Sequence, residues 1–406
     1  MKEIFQTIAQ ALRTGQSVAL ATVIRSIGST PRHVAAKMVV RADGSFVGTI
    51  GGGSMEHKAI RDAQSALASG MSCLAMYPLV GKTPDSLGLC GGTQEVFIDV
   101  LSPRSRNGCA GETLKLFETL VDACEAGEPA ALVTVVHSEA CTERSRSDGL
   151  SCQVGEKILV RHDASTCGGL SGGELEPRIL LEAQEALRRN RSIRLGYQPQ
   201  VDRLTKLNSS EREPMEVFVD IVQPRSELLI IGAGHIGLAL AVMGRILGMR
   251  VVVVDDRSDW VQRFPDVDEA IVVPYDPETE TLDAIPITIT PSTNIVVATW
   301  GWDEPALEQV ASSPAPYIGL VASRRKAKII FDDLLARGVP EEDLARVRVP
   351  AGLDLRAETP EEIALSIMAE MLLLERDGTG LPLLEIKGHP LALATGRVWE
   401  KLAITN

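Results

Sequence analysis

From residue 228 onward, short and largely apolar runs recur at 228–231, 251–254, 270–273, 294–299 and 317–321. Their apolar residues are continuous rather than alternating, as in strands buried on both faces. Helical or loop segments separate them, so the pattern predicts a doubly wound parallel sheet with right-handed crossovers. Thr359-Pro360-Glu361-Glu362 places a capping hydroxyl, a proline at the first helical position and a glutamate three after the cap, and it predicts a long apolar helix running to Leu374. Ahead of residue 226 the rhythm differs. Strands there alternate apolar and polar positions, residues 47–50 read as a strand, and an i, i+4 spacing marks a helix over 59–67.

The first 225 residues hold a degenerate duplication. Gly15 to Thr22 corresponds to Gly127 to Thr134, and Lys37-Met-Val-Val-Arg41 to Lys157-Ile-Leu-Val-Arg161. Gly52-Gly53-Ser-Met-Glu56 matches Gly172-Gly173-Glu-Leu-Glu176, and Glu95-Val-Phe-Ile-Asp99 matches Glu216-Val-Phe-Val-Asp220. Each copy reads helix, strand, loop, strand, Gly-rich turn, helix, strand. Such halves commonly associate pseudo-symmetrically into one α+β domain. The expected organisation is therefore an α+β domain over 1–225 (copies about 1–108 and 109–225), a Rossmann-like domain over 226–376 and a tail over 377–406. The fold class is α/β, with the α+β part built from the internal repeat.

The most informative motif is Gly232-x-Gly234-His235-x-Gly237 between the run ending at Ile231 and a helical segment, with Asp255 closing the next strand 23 residues after the first glycine. In that context each glycine has a task. Gly232 allows a tight turn, Gly234 lets backbone N–H groups approach a pyrophosphate, and Gly237 lets helix and strand approach closely. The helix start supplies partial positive charge, and Asp255 suits ribose hydroxyls. His235 belongs to the same candidate site. Further along, Ser323-Arg324-Arg325-Lys326 follows the last strand run, at the carboxyl edge where such sheets bind ligands. Cations there suit a phosphate, whereas a merely solvated helix start would set them against the dipole. Trp300 and Trp302 either line a cleft near a strand end or simply pack.

Two motifs of the first copy have no intact counterpart in the second. Gly51-Gly52-Gly53-Ser54 follows a strand and precedes a helix, with Ser54 in an N-cap position. It is either a phosphate site or a close-packed glycine turn. Cys90 lies between Gly88 and Gly91-Gly92, an accessible setting for a thiolate, yet without a base identifiable nearby it also reads as an inert thiol. The second copy has Glu211-Arg212-Glu213 there instead. His57 reads as a solvated or capping histidine. The Ser/Arg-rich stretch 138–151 reads as a flexible insertion, with a phosphate-contacting loop as the alternative.

Composition narrows the classes. Apolar residues make up 45% and charged residues 23% of 406, ordinary for a globular protein. The net charge of −13 argues against nucleic acid or an anionic membrane as main partner, while leaving room for local basic clusters. The amphipathic first residues lack a signal-peptide core, and no apolar run approaches the roughly 18 residues of a membrane span, so a cytoplasmic location is expected. All seven cysteines fall between Cys73 and Cys167 without a CxxC pair, which reads as free thiols in a reducing compartment.

With these motifs assembled, the chain resembles the XdhC/CoxI family, accessory proteins of xanthine dehydrogenase and related molybdenum hydroxylases. The resemblance rests on Gly28-Ser-Thr-Pro31-Arg32, Lys37-Met38, GTIGGGSMEH, LCGG before EVFID, GAGHIG, YIGLVASRRK and PAGLDLRAETPEEIALSIMAE, and spans nearly the whole chain. It implies a chaperone that binds molybdenum cofactor, as molybdopterin or its dinucleotide, and protects it while a cysteine desulfurase installs the terminal sulfur. The chaperone then delivers the cofactor to the apo-hydroxylase, and a homodimer is expected. In that role Cys90 is the candidate for sulfur relay or metal contact. Gly51, Gly52, Gly53, Ser54 and Arg32, with Gly91 and Gly92 beside the thiol, would hold the cofactor and its phosphate. Gly232, Gly234, His235, Gly237, Asp255, Ser323, Arg324 and Arg325 would hold the nucleotide; no metal ligands are assigned. The contrasting expectation is an NAD(P)-dependent oxidoreductase built on the Rossmann unit, for which no convincing proton-transfer group stands out. A nucleotide-sensing module without turnover is a third.

Overall fold

The computed structural model describes residues 2–28, 30, 34–79, 92–103, 111–139, 152–171, 173–209, 211–264, 266–376 and 378–387. The chain divides into two compact units, with the break after Glu227; short pieces at 288–293 and 314–316 group with the first unit.

In the first unit α1 (Lys2–Arg13) is followed by β1 (Val18–Ile27), β2 (Lys37–Val40), β3 (Phe46–Gly48), α2 (Gly53–Ser69), β4 (Cys73–Pro78) and β5 (Thr93–Leu101). The second copy repeats the series as α3 (Glu112–Glu125), β6 (Ala130–Ser138), β7 (Lys157–Arg161), β8 (Thr166–Gly169), α4 (Leu175–Arg188) and β9 (Ile193–Gln198). It then adds β10 (Arg203–Leu207) before β11 (Met215–Val222). The sheets run β3-β2-β1-β5-β4 and β8-β7-β6-β11-β9-β10, one order with an extra edge strand in the second. All the strand pairings described in both are antiparallel. The repeat read from the sequence is thus a repeat of folds; β4, β8, β9 and β10, all short, are the strands the three-strand reading of each copy leaves out.

Apolar alternation decides which face of each sheet is covered. Ala19, Ala21 and Val23 of β1 meet Ala59 and Ala63 of α2, while Leu195 and Val217 of the second sheet meet Ile179 and Ala183 of α4. Leu20 and Val18 turn the other way, toward α1 and α3, where Phe5 and Phe117 stack at 6.2 Å. Ile24, Phe97, Val136 and Phe218, two residues from each copy, form a small cluster joining the sheets.

The second unit is built on β12 (Glu227–Ile231), α5 (His235–Ile246), β13 (Arg250–Asp255), α6 (Ser258–Val261) and β14 (Glu269–Val272). After a small hairpin of β15 (Tyr275–Asp276) and β16 (Thr281–Leu282) come β17 (Thr293–Val297), α7 (Asp303–Val310), β18 (Tyr317–Leu320) and α8 (Arg324–Ala336). The short α9 (Glu341–Ala345), α10 (Pro360–Glu375) and α11 (Leu383–Lys387) complete it. The order β14-β13-β12-β17-β18 places the first strand centrally, with chain crossovers to either side and parallel pairing. Thr359 accepts from the Glu362 N–H at 3.2 Å while the Glu362 carboxylate accepts from the Thr359 N–H at 3.1 Å, so the predicted capping box closes α10. The Ser/Arg-rich stretch lies outside the described residues from 140 onward, and no described helix is long and apolar enough to cross a membrane.

Candidate functional site

The β12–α5 corner is shaped by three glycines under different constraints. Gly232 has φ 120°, and a Cβ there would strike the Ala298 carbonyl; a Cβ on Gly237 would strike the Gly232 carbonyl. Both positions are closed by backbone. Gly234 differs: its backbone is extended, with φ −73° and ψ −170°, and a Cβ there would meet nothing within 4 Å. The corner is therefore open where a phosphate would approach the N–H groups of the first turn of α5, which have no acceptor within the helix.

Asp255 ends β13 and is fully buried. Its Oδ2 accepts from the Ala233 N–H at 2.6 Å and from Arg257 Nη2 at 2.9 Å; Oδ1 accepts from the Arg257 N–H at 3.0 Å and from Nε at 2.8 Å. Burial alone would push this carboxyl up, but the Arg257 guanidinium and the two backbone N–H groups outweigh it and hold the pKa below its ordinary value. Neighbouring Asp256 shifts the other way, raised by burial and by the adjacent Asp255 charge. Four hydrogen bonds fill the acceptor capacity of the Asp255 carboxylate. Expected from sequence to meet ribose hydroxyls, it instead ties the glycine corner to Arg257. The Arg257 guanidinium also lies 4.4 Å from the Trp260 ring centre, that of Arg263 lies 4.1 Å from it, and His235 meets the same indole edge-on at 5.8 Å. Arg257, Trp260 and Arg263 went unremarked in the sequence; a basic residue two positions past the strand-end acid was the available signal.

At the carboxyl edge of β18, Ser323 caps α8 by accepting from the Lys326 N–H at 3.3 Å. The three cations that follow separate in role. Lys326 pairs with buried Asp303, which also accepts from Thr299 Oγ1 at 2.7 Å. Arg324 and Arg325 are exposed in the first helical turn, with no ion pair among the described residues. The two tryptophans also separate: Trp302 is buried and stacks on Tyr275 at 6.3 Å, while Trp300, on the loop after β17, is 88% exposed.

The glycine corner of the first unit is built otherwise. Gly51, Gly52 and Gly53 have φ 151°, 81° and 65°, and α2 begins at Gly53 with Gly52 as its N-cap. Ser54 is thus the second helical residue, not the cap, because the left-handed turn at the glycines brings the helix in earlier. Donors on the strand side of the corner are already taken, while a Cβ on Gly52 or Gly53 would meet nothing within 4 Å. The Glu56 carboxylate accepts from the Ile50 N–H at 3.1 Å, from the Gly51 N–H at 3.3 Å and from Thr49 Oγ1. Burial works to raise the Glu56 pKa, but these donors prevail and lower it. Glu176 does the same in the second copy, accepting from the Leu170 N–H at 2.6 Å. An internal carboxylate thus shares a corner that the sequence leaves open between a phosphate site and a close-packed glycine turn. His57 turns its Nδ1 to the Gly53 carbonyl at 3.0 Å. The Gly92 carbonyl accepts from the Leu79 N–H at 2.8 Å at the open end of β4 and β5. Arg32, Cys90 and Gly91 lie outside the described residues.

A parallel sheet in this strand order, with a Gly-x-Gly-x-x-Gly first turn, puts the second unit in the Rossmann class. The family profile described as the XdhC Rossmann domain matches residues 228–371, and that described as the XdhC and CoxI family matches 11–78 and 123–198, one stretch in each repeat. Together they take in more than half of the chain, which belongs to the XdhC and CoxI family. An uncharacterized protein of Escherichia coli K12, YqeB, is 28% identical over 289 residues; the match takes in 70% of this chain, which spans about half (51%) of that longer protein. A protein of Bacillus subtilis named as a probable subunit of xanthine dehydrogenase is 24% identical over 376 residues, covering 91% of this chain and 96% of that one. A crystal structure described as a xanthine dehydrogenase of Bacillus halodurans shares the fold, with a TM-score of 0.59, 23% identity and coverage of 95% and 98% of the two chains.

Proposed function

We propose that this protein is a maturation factor for a xanthine dehydrogenase-type molybdenum hydroxylase. It binds molybdenum cofactor, shields it while a cysteine desulfurase supplies the terminal sulfur, and passes it to the apoenzyme, acting as a homodimer in the cytoplasm. The observation that carries this reading is the spread of the family match over both units, together with a relative named for xanthine dehydrogenase. The geometry suits such a ligand at the β12–α5 corner. Gly234 leaves room for a phosphate, the α5 helix start offers backbone donors, and the Arg257 guanidinium stands beside them. The cofactor, when bound, supplies the metal and the dithiolene that carries it; this chain's residues hold and orient it. Cys90 is the proposed thiol for sulfur relay or metal contact.

The test is retention of cofactor. Purified protein incubated with molybdopterin or its cytosine or guanine dinucleotide is expected to hold it near one per chain, and Cys90→Ala to weaken that hold. Absence of retention by the wild type overturns the reading; undiminished retention by Cys90→Ala removes Cys90 from it.

One observation favours a second reading, an NAD(P)-dependent oxidoreductase. Because Asp255 is saturated by Arg257, the group left to meet a ribose at that corner is a guanidinium, which suits a phosphorylated ribose. Titration with NADP and NAD, followed by a search for hydride transfer to small carbonyls, separates it from the first.

A further inference from the structure

Two neighbouring helices of the second unit are apolar on every side. In α5 the stretch from Ile236 to Leu247 carries Arg245 as its only charged residue, and α10 from Ile363 to Leu374 carries only Glu370. A helix with that pattern is one covered all round. The fold covers one side. Leu240 and Ala241 of α5 share a buried cluster over β12 and β13 with Ala364, Ile367 and Met371 of α10. On the outer side Leu238, Val242 and Ile246, spaced at i, i+4 and i+8, form an open ridge on α5, where Ile246 is 78% exposed; Leu365 and Leu372 stand open on α10. Helix α1 is the contrast: it buries Ile4, Phe5, Ile8 and Leu12 and turns Gln6, Gln10 and Arg13 to water.

The extent of this surface matches an interface. The five ridge side chains leave roughly 500 Å² of apolar surface open, near the upper end for the largest patch on a monomeric protein. The short α11 that follows α10 adds Leu383, Leu384 and Ile386, all exposed, and brings the open area to roughly 800 Å², about what one partner contributes to a stable interface.

Charge then selects the partner. Two copies of a chain of net charge −13 repel one another, so a face through which they associate has to carry little surplus charge of its own. On the two ridges Arg245 and Arg376 stand against Glu361 and Glu375, while Glu362 is turned back onto the start of α10 in the capping box. Arg245 and Glu361 have no ion pair among the described residues. A strongly charged partner finds no complement on such a face, whereas a second copy brings the same apolar surface and the same near balance of charge.

We infer that the outer face of α5 and α10, extended by α11, is the twofold contact between two copies of this chain, each meeting the same face on the other. It gives the homodimer of the proposed function its contact surface and rests on that part of the reading; cofactor binding does not enter.

The experiment is sedimentation equilibrium on the full chain across a range of concentrations. The wild type is expected to dimerise. Val242→Glu on α5 and Leu365→Glu on α10 each set a carboxylate on an exposed ridge position, and each is expected to weaken dimerisation about a hundredfold or more, with circular dichroism confirming a folded protein. A wild type that is monomeric at every concentration overturns the inference. A dimer kept by both folded variants puts the contact elsewhere and overturns the face, while the homodimer stands. A monomeric wild type that forms a complex with the apo-hydroxylase, broken by the same variants, gives the face to that partner and overturns the second copy. Cofactor retention measured alongside keeps the two readings apart. A dimer broken by both variants that retains no cofactor upholds the face and overturns the cofactor reading; a wild-type monomer that retains it overturns the face and upholds the cofactor reading.

Discussion

Lys37 of the first repeat donates to Asp220 of the second at 2.9 Å, with its ammonium 2.8 Å from the other carboxylate oxygen, and both side chains are almost wholly buried. The pair recurs in exchange: Lys157 of the second repeat meets Asp99 of the first at 2.5 Å. Each lysine also donates at 2.7 Å to a carbonyl two residues before it, Ala35 or Gly155. Both of these buried ammonium groups thus have their counter-charge on the other copy.

Lys37→Met removes one member and leaves Asp220 buried without a cation. The first unit is expected to lose about 3–5 kcal/mol of stability, measured by urea unfolding or hydrogen exchange. Lys37→Met with Asp220→Leu removes both charges and should cost less than Lys37→Met alone. A single variant that melts with the wild type would show the pair to be inconsequential.

The glycines of the β12–α5 corner separate folding from binding. Gly237→Ala drives a Cβ into the Gly232 carbonyl and should destabilise the second unit by about 1–3 kcal/mol. Gly234→Ala meets open space and should stay within about 1 kcal/mol of the wild type, yet lose phosphate-bearing ligands in calorimetry. Equal melting and equal binding in both variants would contradict this assignment.

Glu56 makes a pH prediction. Its pKa is lowered in the folded state, so the stability it contributes is present above the ordinary glutamate value of 4.5 and is lost as pH falls below that through the folded-state value. Glu56→Gln should be less stable than the wild type at neutral pH, and the gap should close under acid. A gap of constant size across an acid titration would count against the role given to the carboxylate.

Arg257→Ala frees Asp255 from its ionic partner. Ligands with a phosphorylated ribose should then bind about tenfold more weakly, while those with free ribose hydroxyls hold or gain, because the carboxylate regains acceptor sites. Titration of NADP and NAD side by side reads the change, and a parallel loss for both would argue against it.

Much of this was legible in the chain. Continuous apolar runs gave the central strands because both faces of a parallel sheet are covered, and the spacing of Gly232, Gly234 and Gly237 announced a strand-to-helix turn. Matches in the same order, at offsets between 112 and 121 residues, gave the repeat. What the sequence withheld were partners set by tertiary register. Glu56 and Glu176 stood in the aligned motifs, but only the fold shows their carboxylates turned back onto the corner N–H groups. Glu95 and Glu216, acids within apolar strands, signalled buried partners without saying which; Arg212 reaches Glu95 from 117 residues away. Saturation of Asp255 was equally hidden, since it depends on the rotamer of Arg257.

The exchanged lysine–aspartate pairs also bear on origin. An interface in which each side offers the other the same two groups is self-complementary, the geometry of a twofold dimer of identical protomers. Joined end to end by gene fusion, such protomers need no longer remain alike. One could keep a cysteine between glycines while its twin placed Glu211 and Arg212 at the matching positions of the sequence, so that symmetry persists in the scaffold and has lapsed in the residues it carries.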